Sequence, residues 1–300
     1  MISVFKLESA YDWVFYSNSA YVPSLGATSS TRDIIDAQLP PIFPLEIEEI
    51  ILDLLAEDDE GHPALEICSL VCQAFLPICR KHLFRTIVLN KDFPYSYPSP
   101  TAYEFACLLR KTPKIADYVR QLKYVITIRD LTNKSIQESL KQISRLEFLS
   151  VALERDSETR REVVDWSDNP IRPALLHLLH LPTLTRLKMD YIRNFVVSDL
   201  IPCVNLKYLH IGNCMYSTAE NTFPATLPDH PIRLNEFVSN FDNTTVIMKL
   251  CTARRPDGLP IIDFESLPKL TVGVSEYEEE VSQELFRRCH SLTNAHIRSK

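Results

Sequence analysis

Glycine is scarce in this chain. Only Gly26, Gly61, Gly212, Gly258 and Gly273 occur among 300 residues, against twenty prolines. The closest two lie fifteen residues apart. No G-x-G-x-x-G, phosphate-cradling P-loop or G-x-S-x-G nucleophile elbow is therefore present. Those devices cluster glycine because backbone must approach phosphate or take a strained turn. The chain also has no run of the roughly 18 to 20 apolar residues needed to span a membrane. Lys6, Glu8 and Asp12 break the N-terminal stretch before a signal-peptide core forms. With nothing marking secretion, the eight cysteines are expected to be reduced, in cytoplasm or nucleus. An excess of basic charge is missing too. The net charge is −7, and residues 39–90 alone carry nine acidic and three basic side chains. Phosphate binding needs a basic surface, so non-specific nucleic-acid binding is not expected.

Residues 1–38 mix aromatics (Tyr11, Trp13, Phe15, Tyr16, Tyr21) with a Ser/Thr-rich stretch and read as a poorly ordered leader. The first strong pattern follows Pro44. Ile47, Ile50, Ile51, Leu54 and Leu55 recur at helical spacing, with Glu46, Glu48, Glu49 and Asp53 on the other face. An acidic loop, Glu57-Asp58-Asp59-Glu60-Gly61, ends this helix. A second helix is expected after Pro63, with Ala64, Ile67, Cys68, Val71 and Phe75 as its apolar set. Pro77 is expected to interrupt. A short helix from Arg80 to Phe84 and a strand at Thr86-Ile87-Val88-Leu89 follow. Residues 90–100, with Pro94, Pro98 and Pro100, read as a linker. Thr101 and Glu104 then have capping-box spacing before Ala102, Phe105, Ala106 and Leu109.

From residue 101 to 300 a helix–strand unit recurs, its strand of the form L-x-x-L-x-L. Its clearest copies are Leu184, Leu187 and Met189, then Leu206, Leu209 and Ile211 with Cys214 three further on. Others are Leu146, Leu149 and Val151; Leu122, Val125 and Thr127; Leu234 and Phe237; Leu270, Val272 and Val274; and Leu292 with Ile297. Pro182, Pro202 and Pro268 lead into three of these strands, where proline ends a helix and biases the preceding residue to extended geometry. The charged, Trp-bearing stretch 155–169 reads as a surface insertion. An isolated unit cannot bury its apolar face, so the units are expected to stack into an irregular solenoid. An ordinary α/β domain with leucine-bearing strands is the alternative.

The stretch from Ile42 to Ile87 resembles an F-box of the type common in fungal proteins. The matching residues are Phe43-Pro44-Leu45 through Leu54-Leu55, then Leu65, Ser69-Leu70-Val71-Cys72-Gln73-Ala74-Phe75, and finally His82-Leu83-Phe84-Arg85-Thr86-Ile87. Phe75 and Phe84 stand where the family usually has tryptophan. Phe105, Leu108, Leu109, Pro113, Ile115, Ala116, Tyr118, Val119, Arg120 and Leu122 further resemble the first repeat after many such F-boxes. The resemblance implies an α/β chain with a leader at 1–38, a three-helix F-box at 39–89, a linker at 90–100 and a leucine-rich-repeat-like solenoid at 101–300. It also implies an Skp-family adaptor as partner and, through it, a cullin-based ubiquitin ligase, with the repeats binding a protein target. Pro44, Leu45, Ile50, Leu54, Leu70, Val71, Phe75 and Leu83 are the candidate adaptor contacts, since so small a module cannot bury every apolar side chain. Any one of them could instead be module core. No catalytic residue, metal site or cofactor is expected. Cys68, Cys72 and Cys79, the pair His177 and His180, and Cys289-His290 read as structural. A repeat-type scaffold using the module only as a cap or other docking element is the rival reading.

Overall fold

A computed structural model describes residues 44–58, 61–71, 73–90, 100–154, 165–215, 226–240, 243–274 and 279–299. They form two compact units, one of residues 44–85 and one of residues 86–90 and 100–299. The leader and nearly all of the expected linker fall outside the described residues.

The first unit holds three mutually packed helices: α1 (Leu45–Glu57), α2 (Gly61–Val71) and α3 (Phe75–Leu83). The Pro44 carbonyl accepts from Ile47 N–H and Glu48 N–H, and Glu46 and Glu48 lie in the positive first turn of α1. Pro77 does not interrupt α3, contrary to expectation. It is the third residue of that helix, where its missing N–H has no intrahelical partner to lose. Leu52, Leu65, Cys79 and Leu83 are buried. His82 Nε2 lies 2.6 Å from Asp53 Oδ1 and ties α3 to α1.

The second unit is a mixed α/β structure around one open parallel sheet of eight strands, paired in chain order. The strands are β1 (Thr86–Leu89), β2 (Gln121–Ile126), β3 (Phe148–Leu153), β4 (Arg186–Asp190), β5 (Tyr208–Gly212), β6 (Glu236–Ser239), β7 (Lys269–Val274) and β8 (Asn294–Ser299). Between them run α4 (Ala102–Lys111), α5 (Ile128–Leu131), α6 (Lys134–Leu140), α7 (Arg172–Leu179), α8 (Thr244–Thr252) and α9 (Glu279–Arg288), with 3₁₀ turns at Pro113–Asp117 and Val197–Leu200. The Thr86–Leu89 strand, read as the end of the F-box segment, belongs to this sheet because it pairs with β2. The capping box at Thr101 is present: Glu104 N–H donates to Thr101 Oγ1 at 3.2 Å, and Thr101 N–H to Glu104 Oε2 at 2.7 Å.

Register places Ile87, Leu122, Leu149, Leu187, Leu209, Phe237 and Leu270 in one row. Leu89, Tyr124, Val151, Met189, Ile211, Ser239 and Val272 form the next. All are buried. The helices cover this face, α4 packing on α6, α6 on α7, and α8 on α9. Residues between these positions point to the opposite face and stay at least partly open in most strands. Val119, Leu146, Leu184, Leu206, Leu234 and Leu267 fill the buried position three residues before the first row.

Two expected copies were out of phase. The true triplets are Val119, Leu122 and Tyr124, not Leu122, Val125 and Thr127, and Leu267, Leu270 and Val272, not Leu270, Val272 and Val274. The period of two puts Val125 on the opposite face. Between row residues the repeats run from 22 residues (Leu187 to Leu209) to 38 (Leu149 to Leu187). Three lead-ins are tied by a side chain to an adjoining repeat. Thr183 Oγ1 donates to the Leu146 carbonyl, Asn205 Nδ2 to Pro182, and Thr293 Oγ1 to Pro268.

Leu187→Ala should cost the sheet unit about 2–5 kcal/mol through lost burial and a residual cavity. Ser150→Ala on the opposite face should stay within about 0.5 kcal/mol. Urea titration of both variants checks this, and equal losses would mean that the two faces are not differently packed.

Candidate functional site

A short helix buries only the stripe its neighbours can cover, and α1 carries two apolar stripes. Leu52 is 3% exposed, with Leu55 and Ala56 half-buried beside it. The other stripe, which holds the candidate contacts Ile50 and Leu54, points outward. Ile50 is 54% exposed and Leu54 63%, with Ile47 and Ile51 also exposed. The same arrangement occurs on α2. Leu65 and Ser69 are buried, whereas Ile67, Leu70 (64%) and Val71 (73%) lie open at i, i+3 and i+4. Two mutually packed helices thus expose seven large aliphatic side chains. Apolar exposure on this scale marks interaction surfaces in soluble proteins.

Among the eight candidate contacts, Pro44, Ile50, Leu54, Leu70 and Val71 are exposed. Phe75 is half-buried. The side chain of Leu45 lies outside the described residues. Leu83 is a correction: at 5% exposure it is packed inside rather than offered to a partner. Ile47, Ile51 and Ile67 belong to the outward stripes and were not singled out from sequence. Their signal was legible, because Leu52, Leu55 and Ala56 already supply α1 with a second helical stripe to bury.

In the sheet unit, Arg186 is clasped between the rings of Phe148 and Tyr208, its guanidinium carbon 5.3 and 5.1 Å from their centroids. Beside it, Lys188 Nζ lies 3.0 Å from Asp190 Oδ2. A side chain on Gly212 would collide with the Asp190 carboxylate and crowd Asn240, so glycine there makes room for this cluster. Burial pushes the neighbouring His210 imidazole below its ordinary value; Lys188 and Arg298 deepen the shift, while Asp190 and Asn240 oppose it.

Other polar clusters are structural. The end of the expected insertion is not at the surface. Trp166 is buried, its ring 5.8 Å edge-on from Phe195, and its Nε1–H donates to Asp199 Oδ2 at 2.7 Å. Arg172 Nη2 donates to both Asp199 oxygens at 2.8 and 2.9 Å. The buried carboxylate is therefore fully partnered and pins the β3–β4 crossover to the next one. His180 Nε2 meets the Asp199 backbone carbonyl at 2.9 Å. Asn243 fastens the strand ends, accepting from Cys214 N–H and donating to the Ile211 and Asn240 carbonyls.

Burial pushes the Cys79 and Cys289 thiols up to about 11 and the Cys214 and Cys251 thiols up to about 12. Such thiols are poor nucleophiles and poor metal ligands at neutral pH. Among the described residues no group of three or more His, Cys, Asp or Glu side chains could hold a metal ion. No described helix is long and apolar enough to cross a membrane. No protein-family model matches the chain, and no curated protein matches it.

Two outcomes follow. Ile50→Asp and Leu70→Asp should leave the urea midpoint of the helical unit within about 0.5 kcal/mol of wild type, whereas Leu65→Ala should cost about 2–5 kcal/mol. A large loss from the exposed-stripe variants would show that those residues are covered in solution. Below pH 6.5 the unfolded chain binds the His210 proton more readily than the folded one does, so stability falls as pH drops through that window. His210→Gln should flatten that slope for the sheet unit in pH-dependent urea melts; an unchanged slope would contradict the assignment.

Proposed function

We propose that this chain is the substrate-recognition subunit of a ubiquitin ligase of the Skp–cullin–F-box type. The three-helix unit acts as the F-box and docks an Skp-family adaptor, which links it to a cullin. The sheet unit acts as an irregular leucine-rich-repeat-like solenoid and holds the protein target. The observation that carries this reading is the outward stripe pair on α1 and α2. It contains Ile50, Leu54, Leu70 and Val71, in the segment whose residue order resembles an F-box.

The chemistry of such a contact is helix-in-groove burial of aliphatic anchors. At about 25 cal/mol per Å², each well-buried leucine or isoleucine contributes roughly 1.5–3 kcal/mol. A few anchors then dominate the interface. On this reading the chain performs no chemistry itself, and ubiquitin transfer belongs to the ligase partners. Cytoplasm or nucleus, where thiols stay reduced, is its compartment.

Purified full-length chain should retain an Skp-family adaptor at micromolar concentration in a pull-down. Leu54→Asp with Leu70→Asp should weaken capture by roughly two to four orders of magnitude, the loss of two such anchors. Wild-type chain that captures no adaptor would leave the ligase reading without its basis and favour the scaffold reading.

A further inference from the structure

The open face of the sheet has a charge opposite to that of the chain. Strand register brings Lys123, Arg186, Lys188, Lys269 and Arg298 to this face, against only Asp190 and Glu236. Five cations thus stand against two carboxylates in a protein whose net charge is −7. None of the five is buried. They are spread from β2 to β8 rather than gathered at one loop, so the field covers the sheet from side to side. His210 and His296 occupy the same row as Lys123 and Lys188.

From these observations we infer that the open sheet face binds an extended acidic segment of a partner protein, its Asp and Glu side chains set against this cationic ladder. The inference rests on the reading of the sheet unit as the target-holding part and names the chemistry of its target. Strands lie about 4.8 Å apart and an extended chain advances about 3.3 Å per residue, so a segment of about ten residues crosses the sheet. Arg186 is the central contact. Phe148 and Tyr208 hold its guanidinium between them, so the fork is ordered before a carboxylate arrives and less freedom is lost on binding.

The two carboxylates decide between a polypeptide and a nucleic acid. Glu236 lies next to Tyr208 on the adjacent strand and Asp190 beside Lys188. A uniform phosphodiester would meet both of them. A peptide can set neutral or basic residues opposite Glu236 and Asp190 and acidic ones elsewhere.

Fluorescence anisotropy with the full-length chain tests this, using labelled ten-residue probes: decaglutamate, decalysine and oligouridylate. Decaglutamate should bind saturably and decalysine should not. Raising salt from 50 to 500 mM should weaken binding at least tenfold, because exposed pairs are screened. Lys188→Gln with Lys269→Gln should weaken it by a similar factor without moving the thermal melt, and Arg186→Lys should weaken it although the charge is kept. No decaglutamate binding, binding unaffected by these substitutions, or tighter binding of oligouridylate would each overturn the inference. Adaptor pull-down of the same variants separates this failure from that of the ligase reading, since face substitutions should leave adaptor capture at wild-type level.

Discussion

A parallel sheet whose strands pair in chain order must return each strand through a crossover, and here the crossovers cover one face. That constraint organises the second unit. The covered face is closed by rows of side chains in register, Ile87 through Leu270 and Leu89 through Val272, aliphatic or aromatic at every position but Ser239. Among the described residues the other face meets no helix, so its residues need only suit a half-open surface and are free to carry charge. Arg186, Lys188 and Lys269 can stand there because Leu187 and Leu270 beside them in the chain are buried on the opposite side. Packing on one face and charge on the other are two consequences of one alternation.

The helical unit meets the same constraint with less material. Leu52, Leu65, Cys79 and Leu83 are buried where α1, α2 and α3 pack together. The remaining aliphatic side chains exceed what three short helices can cover. Their exposure is costly in water unless a partner removes it, which is why the surplus points to docking rather than to folding. The buried pair Trp166 and Asp199, by contrast, meets every condition for a structural cluster. Its donors, acceptors and charge are all matched within the sheet unit.

Much of the repeat architecture was legible in sequence, because leucines spaced three and then two apart define both lead-in and strand. Leu184, Leu187 and Met189 fell in register at once. In β2 the phase failed because Tyr124 stands where most other copies have aliphatic side chains, and Val125 beside it imitated the pattern on the opposite face. In β7 it failed because Val274 extended the leucine–valine alternation one step past Val272. The insertion was misjudged for a different reason: its charged start concealed that Trp166 and Asn169 are buried. On the outward stripe of α1, Ile50 and Leu54 were named as candidate contacts, whereas Ile47 and Ile51 of the same apolar face were not. Helical periodicity shows that a stripe exists; it does not say which of two stripes turns inward. Charge on the open face required register, since its five cations come from four different strands and no short sequence window contains them all.

Hydrogen–deuterium exchange of the full-length chain, with and without a purified Skp-family adaptor, tests the central claim most directly. The account predicts that the adaptor adds protection to peptides spanning Leu45–Glu57 and Gly61–Val71 and leaves the sheet strands unchanged. Protection confined to the sheet, or none in either unit, would contradict it.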